Sequence, residues 1–231
     1  MRIWDISPGY LNRQSLLGEH RELHAIVSII INNKKGYSKH PETLRWIDYG
    51  WALMQRHNLL KAEMSLRGFK DKSPVFMDYK ISEWPLKYID EPYIQFKILE
   101  NKYKGREQGR IALPQNAQQF WSQHKYSVLA RNVSTYKEIG KRVSKIKKKD
   151  NFSSLVKEVT KLLVIAPNIG GVRNALQHMW GYVSDYSKQD RKDLESLSLK
   201  TFLIKIQELA IANNKKYLLS STALSELDAW I

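Results

Sequence analysis

Cysteine is absent from this 231-residue chain, and proline (7) and glycine (11) are sparse. Without cysteine there is no disulfide, no iron–sulfur cluster, no thiolate zinc site and no cysteine nucleophile. Acidic residues are the minority, 23 Asp and Glu against 38 Lys and Arg, for a formal net charge of +15. An excess of that size attracts polyanions and says nothing about fold. Long apolar runs are also missing. The most hydrophobic early stretch, residues 25–31, is too short to span a bilayer. Asp5, Glu19 and Glu22 precede it, which argues against an export signal. Neither a membrane partner nor a membrane address is expected. Six histidines are present, but no pair reads as having metal-ligand spacing backed by carboxylates, so no metal and no cofactor is expected.

What is present is helical periodicity. Residues 11–33 carry Leu16, Leu23, Val27 and Ile30 at helical spacing, and Leu17 and Ile31 widen the stripe. His40-Pro41-Glu42-Thr43 reads as a helix start with proline in the first turn, running to Leu66 before Gly68. Three prolines punctuate residues 70–95, and Tyr93 to Tyr103 suggests a third helix. The Gly- and Pro-containing stretch 104–116 is the best boundary, giving domains at 1–112 and 113–231 with net charges of +6 and +9. In the second part, one long or broken helix is expected over 117–149, with further helices over 152–165, 172–186 and 190–213. A final one over 222–230 would be capped by Ser221. The fold class is all-α, one helical domain followed by another.

The N-terminal stretch MRIWDISPGYLNRQSLLGEHREL carries Arg2, Ile3, Leu11, Gln14, Leu16, Glu19, Arg21, Glu22 and Leu23 in a fixed register, continued by Ala62, Glu63, Arg67, Gly68 and Phe69. With these residues the chain resembles the pyrimidine-dimer DNA glycosylase/AP lyase family, the phage endonuclease V family. The most specific piece is E-x-R-E-L at a fixed distance from residue 1. The resemblance implies a bifunctional glycosylase and AP lyase acting on ultraviolet-type dimers or abasic sites in duplex DNA, in the cytoplasm at the nucleoid. It implies an N-terminal amine as nucleophile, so Met1 and Glu22 are the catalytic candidates. Arg2 next to Met1 disfavours removal of the initiator, which makes the amine of Met1 the expected group. Arg2, Gln14 and Arg21 are candidate DNA contacts. Ala25 stands where the phage enzymes have an arginine. His20 and His24 are read as neighbours only.

Outside that register, KKGYSKHPETLRW offers Lys34, Lys35, Lys39 and Arg45 to phosphates and Tyr37 to a base. The run KRVSKIKKK at 141–149 is a second cationic footprint, or a helix end complementing its dipole. From Phe120 onward HKYSVLAR, YKEIGKRV and GGVRNALQHMWGYVS resemble the YbgA-like domain of unknown function. Arg173, Asn174, Gln177 and His178 lie on one helix there and form either a binding site or a buried polar network. Two other readings remain beside the repair enzyme. One is a non-catalytic nucleic-acid-binding protein. The other is a modified-nucleobase or RNA-related protein centred on the second domain.

Overall fold

A computed structural model describes residues 1–187 and 196–231. The chain divides into two compact units, Met1–Gly109 and Arg110–Ile231. The fold is all-α, with no strand among the described residues. No helix among them is long and apolar enough to cross a membrane.

The first unit opens with an extended segment and a 3-10 turn at Pro8–Tyr10. Helices α1 (Arg13–Ile31), α2 (Pro41–Trp46), α3 (Gly50–Leu66) and α4 (Pro92–Lys102) follow. α1 begins at Arg13 because Asn12 is extended and its side chain accepts the Ser15 N–H at 2.9 Å. Its inner stripe is Leu16, Glu19, Leu23, Ile26 and Val27, all buried, whereas Ile31 is exposed. The single helix expected from His40 to Leu66 is two. The chain breaks at Tyr49, and Gly50 packs so close to the Asp78 carbonyl that a Cβ would lie 2.8 Å from its oxygen. α3 ends in a Schellman turn: Gly68 has φ +80°, and Gly68 and Phe69 donate to Ser65 and Met64 at 2.9 Å each. This turn folds the following segment back.

In the second unit come α5 (Ala117–Leu129), α6 (Val133–Val143), α7 (Ser153–Leu163) and α8 (Ile169–Trp180). They are followed by α9 (Leu199–Ala212), α10 (Lys216–Leu219) and α11 (Ala223–Glu226). α5 is the central helix, packed on α6, α7, α8 and α11. Of the two forms expected over 117–149 the broken one is found: Asn132, whose side chain accepts the Thr135 N–H, starts α6 anew. Gly171 sits where a Cβ would be 2.0 Å from the Ala130 carbonyl oxygen, which accounts for the glycine immediately ahead of Val172. Ser221 does not cap the last helix: its hydroxyl is buried and makes no hydrogen bond, and the Thr222 N–H and hydroxyl both donate to the Gln123 carbonyl. Residues 190–195 of the expected helix 190–213 lie outside the described residues.

Candidate active site

Four successive backbone N–H groups at the chain start are each taken by a side-chain acceptor. Arg2 donates to Glu22 Oε2 at 2.5 Å, Ile3 to Glu42 Oε1 at 3.3 Å, Trp4 to Glu19 Oε1 at 3.0 Å, and Asp5 to Gln95 Oε1 at 2.8 Å. The geometry follows from two periodicities. Alternate residues of an extended segment point the same way, and residues three apart share a helix face. So Arg2 and Trp4 meet Glu22 and Glu19 on α1, while Ile3 meets Glu42 on α2. Arg56 of α3 grips Glu19 with two bonds of 2.8 and 2.9 Å and also donates to the Ile6 carbonyl at 3.0 Å. Burial pushes the Glu19 carboxyl up, with Arg56 and the Trp4 N–H opposing it. Burial likewise raises Glu42, against the pull of Arg45 and the Trp46 indole. Arg67 fixes the next stretch by donating to the Leu11 carbonyl at 2.7 Å and pairing with Glu63 at 2.7 Å.

The α-amine of Met1 is thus one residue from the nitrogen held by Glu22, a Cα–Cα step of about 3.8 Å. Met1 and Glu22 are both half-buried. Arg2 pairs with Asp90 at 2.6 Å and lies 4.3 Å over the Trp4 ring. Gln14 and Arg21 are exposed and share one stripe of α1 with Gly18 and Ala25. The space beyond Gly18 is open, so this stripe is a low, accessible surface beside the chain start. Lys34, Lys35 and Lys39 are exposed in the turn after α1, and Lys34 Nζ donates to Ser28 Oγ at 2.8 Å. Tyr37 is 70% exposed with φ +58°.

Arg45 departs from its expected place at a phosphate. Its side chain is only 5% exposed. It pairs with Asp5, lies 3.5 Å from Glu42, and donates to the Lys87 carbonyl at 2.8 Å, with the Trp46 and Tyr88 rings beside it. Two carboxylates and a carbonyl that sequence proximity did not reveal draw this cation inward.

A second cluster lies elsewhere on α1. His20 and His24, four residues apart on one face, converge with His57 of α3 and Asp71 of the segment after it. The carboxylate backing that the sequence does not reveal for this histidine pair is supplied in space by Asp71. Their donor atoms all lie within 4.8 Å of one another. Burial pushes the His57 imidazole down to about 4, with Asp71 opposing and the other two imidazoles adding to the effect. Burial and His20 also lower His24.

In the second unit, Val172, Ala175, Leu176, Met179 and Trp180 bury one face of α8. Gln177 and His178 are exposed on the other, and Asn174 is half-buried. Arg173 donates to the Leu197 carbonyl at 3.0 Å. His178 stacks on Tyr126, whose hydroxyl donates to Tyr182 at 3.2 Å; Tyr182 stacks on Tyr217. The four residues therefore do not form a single buried network. Arg131 is the buried polar hub, donating to the carbonyls of Ser127, Leu163 and Ile165 and to Glu226 at 2.6–2.8 Å. In the 141–149 run, Arg142 pairs with Glu158 and the lysines are exposed.

His124 of α5 gives this unit a pH dependence. It is buried, Nδ1 lies 2.8 Å from the Phe120 carbonyl, and burial holds the imidazole down to about 4 despite that bond and Glu226. An unfolded histidine takes its proton near pH 6.5, so the unfolded chain binds more protons between the two values. Stability contributed by neutral His124 is full above about pH 6.5 and falls by about 3 kcal/mol as pH drops to about 4. Urea unfolding of wild type and His124→Gln between pH 7 and 4.5 checks this. The wild type should lose more stability than the variant.

Compared with known proteins, residues 1–77 match the family described as pyrimidine dimer DNA glycosylase. Residues 125–226 match a family described as a protein of unknown function, DUF1722. The two matches fall on the two segments distinguished from the sequence. No curated protein and no solved structure matches the chain.

Proposed function

We propose that the first unit is a bifunctional DNA glycosylase and AP lyase that acts on pyrimidine dimers in duplex DNA, at the nucleoid, through the α-amine of Met1. The observation that carries this reading is the 2.5 Å bond from the Arg2 N–H to Glu22, which holds the backbone next to Met1 beside a carboxylate. Its support is that this feature lies within the stretch matching the dimer glycosylases.

The chemistry needs only groups at that end. An α-amine has a reference pKa of about 8, against about 10.4 for lysine, so a useful fraction is neutral at physiological pH. Its lone pair attacks C1′ of the damaged nucleotide, and the base departs with the electrons of the C1′–N bond. Ring opening leaves an iminium between the Met1 nitrogen and C1′. That cation acidifies the C2′ proton, and removing it expels the 3′ phosphate oxygen. The strand is cut, and hydrolysis of the imine then frees the amine. Glu22 stabilises the iminium and guides the proton from C2′. Reaching C1′ requires a nucleotide to leave the stack. Gln14, Arg21 and the lysines at 34, 35 and 39 are exposed for contacts to the backbone of bent DNA. Arg2 orients the chain start.

Borohydride trapping on an abasic duplex tests the reading. Untagged protein with Met1 verified by mass spectrometry should give a covalent adduct. Protein acetylated at the N-terminus should give none yet still bind DNA, because an amide nitrogen has its lone pair delocalised into the carbonyl. A full-strength adduct from the acetylated protein would move the nucleophile to a lysine. No adduct from either would leave a DNA-binding protein without lyase activity.

A further inference from the structure

We propose that His20, His24, His57 and Asp71 form a binding site for one divalent first-row transition ion, with zinc as its representative. The four come from three places: α1, α3 and the segment returned by the Schellman turn at Gly68. Nothing in the amine chemistry uses them.

All four residues offer donor atoms within 4.8 Å of one another, and three of the separations match the edge of a four-coordinate shell. His20 Nε2 lies 3.3 Å from His24 Nε2 and 3.3 Å from Asp71 Oδ1, and His57 Nε2 lies 3.4 Å from Asp71 Oδ2. A tetrahedron with bonds of about 2.0–2.1 Å to nitrogen and oxygen has edges of about 3.3 Å. Imidazole nitrogens and one carboxylate suit zinc and its neighbours and do not suit magnesium or calcium. The His57 side chain is 3% exposed, and its Nε2 makes no hydrogen bond in the structure. A buried nitrogen of that kind, aimed at two imidazoles and a carboxylate, lacks the partner a metal supplies. The Asp71 side chain is equally buried, and Oδ1 accepts the Ser73 N–H at 2.9 Å, which orients the carboxylate.

The site is structural in character. At about 100° per residue, His20 and His24 both lie about 160° around α1 from Glu22, on the far side of the helix. Three imidazoles and a carboxylate also close a four-coordinate shell, leaving no position for substrate. The ion would pin α1 to α3 and to the return segment, and so fix the helix that carries Glu19 and Glu22. In a chain without cysteine, histidine and carboxylate side chains are the ligands available for such a clamp.

The experiment uses untagged full-length protein, stripped with a chelator, reloaded with zinc(II) and desalted. We expect one zinc per chain by elemental analysis and a higher melting temperature than the stripped protein. Cobalt(II) in its place should show the visible absorption of a four-coordinate site. X-ray absorption should show only nitrogen and oxygen ligands with the scattering pattern of imidazoles. His24→Gln with Asp71→Asn should abolish stoichiometric zinc while leaving the helical circular dichroism intact. Should that double variant not fold, the wild-type cobalt and X-ray absorption spectra decide alone. No zinc retained by wild type, a six-coordinate cobalt spectrum, imidazole-free scattering, or full zinc in the folded double variant would each overturn the assignment. Acetylating Met1 should not change the zinc content, so the outcome is independent of the lyase reading.

Discussion

Glu22→Gln should cut the rate of strand cleavage at an abasic site by at least about 10²-fold, the scale for losing a positioned acid–base group or a charge facing the transition state. The substitution is isosteric. A glutamine oxygen still accepts the Arg2 N–H, so the chain start should stay on α1 and the melting temperature should change little. In the proposed mechanism, what disappears is the negative charge beside the iminium and the base that guides the C2′ proton. Single-turnover cleavage of an abasic duplex, alongside a DNA-binding titration, separates the two. Cleavage should collapse while binding stays within a few-fold of wild type. Because the amide removes one negative charge, any binding change should be toward tighter. Wild-type cleavage by the glutamine variant would remove Glu22 from the mechanism.

The sequence shows Glu22 and conceals what holds it. The helical stripe of α1 was legible because Leu16, Leu23 and Val27 repeat locally, and all three are buried. The E-x-R-E-L register was legible because it sits at a fixed distance from residue 1. The role of Glu19 was not. It depends on Arg56, 37 residues away, and on a backbone N–H of the first segment. Arg45 was misplaced for the same reason: its charge counts toward a basic surface in composition, but Asp5 and Glu42 claim it in space. The histidine cluster left half a signal. His20 and His24 stand at i and i+4, which places two imidazoles on one helix face, while Asp71 is supplied by a return turn that only tertiary structure reveals. The break at 47–49 was missed because Ile47 and Trp51 continue the helical stripe across it, while a break within 117–149 was left open by the pattern. The close approach at Gly50 and the cap at Asn132 decide those boundaries.

Replacing Arg56 by Met should destabilise the protein by about 3–5 kcal/mol, the cost of stranding a buried charge after its partner is removed. The side chains of Arg56 and Glu19 are 3% and 0% exposed, so water cannot replace the lost bonds. Two further groups lose support: the Ile6 carbonyl loses its donor, and the carboxylate that receives the Trp4 N–H loses its counter-ion. The first segment should loosen from α1, and cleavage should fall although Arg56 touches no reacting atom. Burial already raises the Glu19 carboxyl against the pull of Arg56, so removing that pull raises it further. The native state then holds a proton that the unfolded chain has released, and stability falls as pH rises through that window. The gap between wild type and variant should therefore narrow toward acid. Adding Glu19→Gln should recover part of the loss at pH 7, since a neutral amide still accepts the Trp4 N–H and leaves no unpaired charge. Arg56→Lys should recover less than wild type because an ammonium cannot reproduce the two-pronged grip on Glu19 and the third bond to Ile6. Urea midpoints of the two single variants at Arg56, the double variant and wild type at pH 7 and pH 5 measure all of this. A methionine variant within about 1 kcal/mol of wild type, below the buried-pair range, would show that the Glu19–Arg56 pair does not anchor the chain start.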